Sequence, residues 1–336
     1  MRRLAIPSIG LAFLLSACAT GAVTGGAPDS STTTEPMPVS TKPSGASVST
    51  TTTALPTTSV TAAPITTTTT TGAPTTTTSP PSPTTTQPSE IAVVSYFFVD
   101  EIGHPNRNGP FLVPVNTTVP FTKGVARAAI EQLLAGPSAA DRDGVPSITS
   151  VIPSEARLLG LNVSEGIATV DLSGNFEADD DSAVAAQRIA QVVFTLSRFP
   201  SIHEVLFRQD GSDIAVPIGD GQLVSRPVNI GDYLEFAASL HVEEPAYAGR
   251  GGNPLHVSGF GAVFEASFSY ALTDDDGLII SEGIAMTNNG MGWGGFDFTI
   301  DYTVDREQVG ALIVWANSAE NGSQIDVREY PVVLVP

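Results

Sequence analysis

The chain has 336 residues, with 35 Asp or Glu against 15 Lys or Arg, a formal charge of -20. A polyanion of that size repels nucleic acid and anionic headgroups, and no cluster of Lys or Arg makes a local exception. The single cysteine, Cys18, leaves no disulfide framework, so a hydrophobic content of 41% has to build each core.

The chain begins with Arg2 and Arg3, an apolar run from Leu4 to Leu15 and small residues before Cys18. A run that short does not cross a ~30 Å bilayer core as a lasting helix, so residues 1–17 read as a removed export signal. Leu15-Ser16-Ala17-Cys18 resembles the lipobox of bacterial lipoproteins. That resemblance implies cleavage before Cys18 and diacylglycerol on its sulfur, with the protein lipid-anchored at the extracytoplasmic face of the membrane. The plainer alternative is an ordinary secretory signal with a chance cysteine. Two or more acyl chains at ~0.8 kcal/mol per buried CH₂ hold firmly, where one chain does not.

Residues 18–90 are Thr, Ser, Pro, Ala and Gly, with runs at Thr66–Thr71 and Thr75–Thr78. Large apolar residues are almost absent, so nothing offsets the entropy of ordering, and the segment reads as a disordered linker. About 72 residues span roughly 50 Å as a flexible coil and about 220 Å in extended polyproline II. Its Thr/Pro tracts suit O-glycosylation. The functional reading is a spacer through or above a wall layer; the bland one is neutral low complexity.

Residues 91–236 read as a first folded domain. Ile91–Val99 is a buried strand and Phe111–Val115 a second. Thr122 is placed to cap a helix through Ala135, with Ala126, Ala129, Ile130, Leu133 and Leu134 on one face, stopped at Gly136-Pro137. A loop leads to Leu158–Val163, which turns at Glu165-Gly166 into Ile167–Leu172 as a hairpin. Ser182 is placed to cap a second helix to Phe199, with Ala186, Ile189, Val193 and Leu196 inward. Val205–Phe207 returns as a strand, followed by smaller pieces at 213–217 and 222–224. The order is α+β: two helices on a mixed sheet.

Leu112-Val113-Pro114-Val115, Leu133-Leu134-Ala135-Gly136-Pro137, Ile152-Pro153, Ala168 to Ser173, Phe176 and Val205 to Gly211 resemble the GerMN domain of bacterial sporulation and germination proteins. The resemblance implies an extracytoplasmic, non-catalytic module that mediates protein contacts in envelope assemblies, with no catalytic residues to carry over. The residues themselves agree. Asp171 and Ser173 lie where a strand runs into a turn and are expected to bond backbone nearby. No Gly-x-Ser-x-Gly elbow is present. Asp179-Asp180-Asp181 suits the start of the second helix, where negative charge is favourable; a calcium loop there would need oxygens at alternating positions.

In residues 238–336 the period becomes two. Phe264, Ala266, Phe268, Tyr270 and Leu272 are expected to face one way, and Phe296–Val304 alternates without a break. Leu278–Ile280, Ala311–Ala316 and Ile325–Val335 complete a set of short strands, with turns at Asp274–Gly277 and Asn321-Gly322. This predicts an all-β antiparallel sandwich. Asn253 to Phe260, Ala262 to Ala266, Asp276-Gly277, Gly294-Gly295-Phe296 and Gly322-Ser323 resemble the immunoglobulin-like domain of bacterial spore germination, whose implied role is interaction or display.

Gly290, Gly292 and Gly295 spell G-x-G-x-x-G, but a strand follows rather than the helix a dinucleotide site requires. Asp274–Asp276 reads as a solvated turn. His104, His203, His241 and His256 are too scattered to argue a metal site, and no metal, cofactor or catalytic residue is assigned. Trp293, in a Gly-rich loop, is the candidate contact residue, weighed against a ring folded over the sandwich end. Trp315 reads as core.

These readings converge on a non-catalytic, membrane-anchored lipoprotein that mediates protein-protein interactions in the cell envelope. A cell-wall glycan-binding lipoprotein is the alternative, and an envelope hydrolase the weaker one. The expected partners are the membrane through lipid on Cys18, envelope proteins and wall polymer, with no nucleic acid.

Overall fold

The computed structural model describes residues 88–100, 110–144, 146–177, 182–219 and 221–336. Cys18, the linker through residue 87, His104 and Asp179, Asp180 and Asp181 lie outside them, while Glu90, placed in the linker from sequence, begins the first strand.

The apolar, β-branched run after residue 90 becomes β1 (Glu90–Asp100), which pairs antiparallel with β2 (Phe111–Pro120) from Glu90↔Pro120 to Val99↔Phe111. β2 continues past Val115 because Asn116, Thr117 and Thr118 extend an edge strand whose later positions are mostly solvated. α1 (Val125–Ala135) buries Ala129, Ile130 and Leu133, leaves Ala126 and Leu134 half-buried, and ends at Gly136 with φ 80°. Thr122 is not its cap: Gly124 holds that position, and Thr122 Oγ1 instead accepts from the Gly124 N–H at 3.0 Å. A single-turn helix, α2 (Ala139–Arg142), follows with a Ser138/Asp141 capping box. β3 (Ser147–Thr149) then joins the far side of β1.

β4 (Leu158–Ser164) and β5 (Ile167–Leu172) form the expected hairpin. Glu165 and Gly166 both take positive φ, 52° and 84°, the two-residue turn that matches strand twist. α3 (Ser182–Ser197) crosses over to β6 (Glu204–Gln209), parallel to β5, and β7 (Ser212–Asp213) adds an antiparallel edge. β8 (Val216–Pro217) and β9 (Leu223–Val224) pair with each other. The expected mixed sheet is therefore two: β2-β1-β3, all antiparallel, and β4-β5-β6-β7, mixed.

α3 is buried far beyond one stripe. Besides Ala186, Ile189, Val193 and Leu196 it buries Arg188, Gln191 and Thr195. The reason lies in β1, which outruns β3 and so exposes backbone groups on that side. Thr195 Oγ1 accepts from Tyr96 N–H at 3.0 Å, and Gln191 Nε2 donates to Tyr96 O at 3.0 Å. Helix side chains thus stand in for a missing strand. Gln191 Oε1 also accepts from Val151 N–H at 3.2 Å, and Arg188 Nε donates to Val151 O at 2.8 Å, fixing the 150–152 segment.

A kinked 3₁₀ segment, Ile230–Phe236, leads onward, pinned where Arg226 grips Asp232 with two hydrogen bonds of 3.0 and 2.6 Å. The second part is a sandwich. One sheet holds β10 (Leu240–Glu244), β11 (Leu255–Gly261) and β14 (Gly294–Ile300). The other has the order β13-β12-β15-β16, from β12 (Ser267–Thr273), β13 (Ile279–Met286), β15 (Gln308–Asn317) and β16 (Gln324–Leu334). Gly259 permits the close approach of β10 and β11, since a Cβ there would lie 2.0 Å from His241 O.

Three expectations change here. Phe264–Ala266 is a 3₁₀ turn, with Phe264 65% exposed rather than inward, and β12 starts at Ser267. β14 stops at Ile300, although Tyr302 stays buried with its Oη hydrogen-bonded to Gly252 O and Val335 O. Trp315 is not core: Leu312, Val314 and Ala316 face inward, and Trp315, opposite Ser269, lies half-buried on the outer face.

Candidate interaction surfaces

The two parts do not keep separate interiors. One continuous cluster of buried residues runs from Tyr96 and Phe194 through Leu240 and Val257 to Leu334. It is continuous because β10 is buried on both faces. Leu240 and Val242 share a face with the sandwich interior, while His241 on the opposite face lies against β1 and α3.

The seam is aromatic at its centre. The His241 ring lies 5.8 Å from Tyr96, 5.8 Å from Phe194 and 4.7 Å from Phe260, centroid to centroid. Among the described residues neither nitrogen of His241 has a hydrogen-bond partner. Burial, and secondarily Arg198, pushes its pKa down to about 3, so the ring is neutral at physiological pH. Tyr96 is likewise held well above its ordinary pKa, by burial first and then by Glu243.

Polar contacts close the rim. Tyr96 Oη donates to Glu243 at 3.3 Å, and Arg198 of the first part reaches Glu243 at 3.2 Å and Glu244 at 3.9 Å. Glu244 also faces His256. The His256 ring bridges three strands, with Nδ1 3.2 Å from Glu244 and Nε2 3.1 Å from Asp297. A carboxylate only accepts, so both nitrogens must carry protons for both bonds to form. Asp297 first, and then Glu244, raise its pKa above the ordinary histidine value, with burial opposing. Elsewhere on the seam Arg328, its pKa lowered by burial, lays its guanidinium 4.6 Å over the Phe111 ring, and Tyr247 N–H donates to Pro114 O at 2.7 Å.

Trp293 is half-buried, its ring 5.5 Å from Phe260, so it extends the seam's aromatic row outward. The residue that its loop presents fully is Met291, 99% exposed. Phe264 and Met286, each 65% exposed, stand near that loop, because Thr287 N–H bonds Ala266 O and Gly290 abuts Ala266. A shallow depression lies beside it, lined by Met286, Thr287, Asn288, Gly295, Phe296 and Asp297.

The other residues weighed from sequence have structural work. Asp171 Oδ1 accepts from Gly211 N–H at 3.0 Å and Ser173 Oγ from Arg157 N–H at 3.0 Å, bonds to segments 40 and 16 residues away. Asp274 Oδ1 takes the N–H groups of Asp276 and Leu278, at 3.0 and 2.8 Å. His203 packs under the β4–β5 turn, where a Cβ on Gly166 would meet its ring. Among the described residues no group of three or more His, Cys, Asp or Glu is arranged to hold a metal ion. What sequence reading missed is the meeting of Arg198, Glu244, His256 and Asp297. They come from three strands and the turn after α3, and no spacing in the chain signals it.

Residues 95–215 match the family model of Germane, described as sporulation and spore germination. Residues 239–323 match that of Gmad2, described as the immunoglobulin-like domain of bacterial spore germination. No curated protein matches the chain. Among solved structures, the tandem GerMN domains of the sporulation protein GerM from Bacillus subtilis are similar at 18% identity and TM-score 0.33, over 42% of this chain and 46% of that one. The chain therefore spans just under half the length of that structure. The first GerMN domain of the same protein is similar at 21% identity and TM-score 0.32, over 41% and 97%. A candidate lipoprotein from Clostridium perfringens is similar at 19% identity and TM-score 0.29, over 43% and 90%. Residues 95–215 of this chain are thus a GerMN-type sporulation and germination domain, and residues 239–323 an immunoglobulin-like domain of bacterial spore germination.

Proposed function

We propose that this chain is a lipid-anchored extracytoplasmic protein of the cell envelope whose folded domains bind and position other envelope proteins rather than catalyse a reaction. The observation that carries this reading is the seam. A shared core and the ion pairs of Arg198 with Glu243 and Glu244 hold two germination-type domains as one body, so the loop at Met291 and the outer sheet face keep fixed positions relative to the GerMN-type domain. The two histidines at the seam support the non-catalytic half of the proposal. His241 is sealed among rings, and His256 has both nitrogens engaged by carboxylates, so neither is poised as a general base. Anchoring rests on Leu15-Ser16-Ala17-Cys18, and no described helix is long and apolar enough to cross a membrane.

The test is in-cell cross-linking of the full chain, with a variant ending at residue 90 as control, and labelling by an alkyne fatty acid. Capture of a defined envelope protein that the control does not capture supports the proposal. Label incorporation lost in Cys18→Ser supports the anchor. Wall-binding is the second reading, favoured by the half-exposed rings of Trp293 and Trp315. Recovery of polymer alone would put it in place of the first.

A further inference from the structure

The four-stranded sheet treats its two edges differently. Beyond β16, residues 248–251 cover the backbone: Ala248 N–H donates to Pro331 O at 2.9 Å, Val333 N–H to Gly249 O at 2.8 Å, and Gly251 N–H to Val333 O at 2.9 Å. At the other end β13 pairs only with β12 among the described residues. Its eight residues contain no Lys, Arg or Pro, the usual guards of an edge, and Glu282 is its one charge. Ile279, Ile284 and Met286 are 59%, 74% and 65% exposed, and Ile284 continues across Ser269 to Trp315 on the outer face. An open backbone edge and an apolar row therefore occupy one place.

We infer that a second copy of this chain docks here, pairing β13 with β13 antiparallel so that two four-stranded sheets become one. Charge favours this place over others on a chain of net charge -20. The outer-face rows through Ser269, Ala271 and Thr273 hold only Glu282 and Glu329 as charges, and of Asp274, Asp275 and Asp276 in the turn before the strand, Asp275 is paired with Arg306 at 2.7 Å. A two-fold axis perpendicular to the sheet keeps outer faces together and requires residues of like facing to oppose one another. Centred on Gly283, the pairing overlaps residues 281–285, short of the bulge at Ile280, and sets each Glu282 against the other copy's Ile284. Centring on Glu282 would oppose it to itself, a destabilising like-charge pair. Gly283 itself faces inward against Tyr270, where a Cβ would lie 2.6 Å from the hydroxyl, so the axis passes a position without a side chain. This contact goes beyond the envelope reading and does not depend on the anchor.

Sedimentation equilibrium of the full chain carrying Cys18→Ala, in 150 and 500 mM NaCl, tests it, because neither lipid nor thiol can then join copies. The expected result is a concentration-dependent dimer, tighter at high salt as residual repulsion is screened. Ile284→Lys should weaken it about tenfold or more, with an unchanged unfolding midpoint at dilutions where both proteins are monomeric. In the same background, oxidising a mixture of Glu282→Cys and Ile284→Cys chains should join the two variants to each other in preference to themselves. A monomer at every concentration, a dimer indifferent to Ile284→Lys, or self-joining of either cysteine variant would overturn the inference or its register.

Discussion

Tyr96 on β1 and His241 on β10 lie face to face across the domain boundary, ring centroids 5.8 Å apart and 18° from parallel. Tyr96 finds Glu243 for its hydroxyl, and among the described residues His241 finds nothing for either nitrogen. The ring is retained as an aromatic, and its polar atoms are a cost. Replacing it with Phe should therefore stabilise the protein by ~1 kcal/mol, the scale of an unmet buried polar group. His241→Ala should instead destabilise it through the cavity. Thermal unfolding of the three proteins at pH 7.5 decides.

His241 also sets an acid limit. Its folded pKa of about 3 lies below the unfolded ~6.5, so the unfolded chain binds the proton first. Its contribution is complete above pH ~6.5 and falls steadily as pH drops from ~6.5 toward 3. The slope of unfolding free energy against pH over that window should flatten in His241→Phe. An unchanged slope would remove His241 as the cause.

His256 acts with the opposite sign. Its folded pKa is raised, so its contribution is full below ~6.5 and is lost as pH rises through the folded value. With the side chain 46% exposed, the clasp contributes less than ~1 kcal/mol and weakens in salt. Proton NMR should show His256 titrating above 6.5 in the wild type. In Asp297→Asn the midpoint should move down, because the first of its two carboxylate partners is gone.

A shared core predicts shared unfolding. Calorimetry should give one transition for both domains, with equal calorimetric and van't Hoff enthalpies. Phe260→Ala removes the ring that touches His241, Phe194 and Trp293, and should cost about 3 kcal/mol. It should also split the transition, with the sandwich and the GerMN-type domain melting apart. Two transitions already present in the wild type would refute the shared interior.

Gln191 holds backbone groups of two segments, Tyr96 O and Val151 N–H. Gln191→Leu matches its bulk but leaves both unmet, and should cost about 2–4 kcal/mol. Gln191→Glu at neutral pH should cost more, since a carboxylate cannot donate to Tyr96 O.

How far these features are legible from sequence depends on the range of the interaction behind each. The Ile167–Leu172 hairpin, the inward face of α3 and the order of the first domain follow from local pattern and turn chemistry, and the structure reproduces them. Trp315 and Phe264 misled because alternation fixes relative facing, while a preceding bend or a bulge fixes which face is inside. Glu265 and Ala266 take positive φ, which ends the alternation just before β12. β10 carries Leu240, His241 and Val242 buried in succession because a second domain covers its outer face. Nothing in a five-residue window announces such a cover. The same holds for the polar residues of α3, which look like a solvated stripe and serve as hydrogen-bond partners for β1.

The position of β1 has a mechanical meaning. It is the first described strand after the Thr/Pro-rich segment, it is paired along ten residues with β2, and it carries Tyr96 into the seam. A pull exerted on the chain ahead of residue 88 thus enters a strand bonded to β2, to β3 and to side chains of α3. Tension is spread over the β1–β2 ladder, the α3 side chains and the sandwich together, so no weak link gives way first. In a force-extension measurement, the residues after 88 should yield in one event rather than domain by domain.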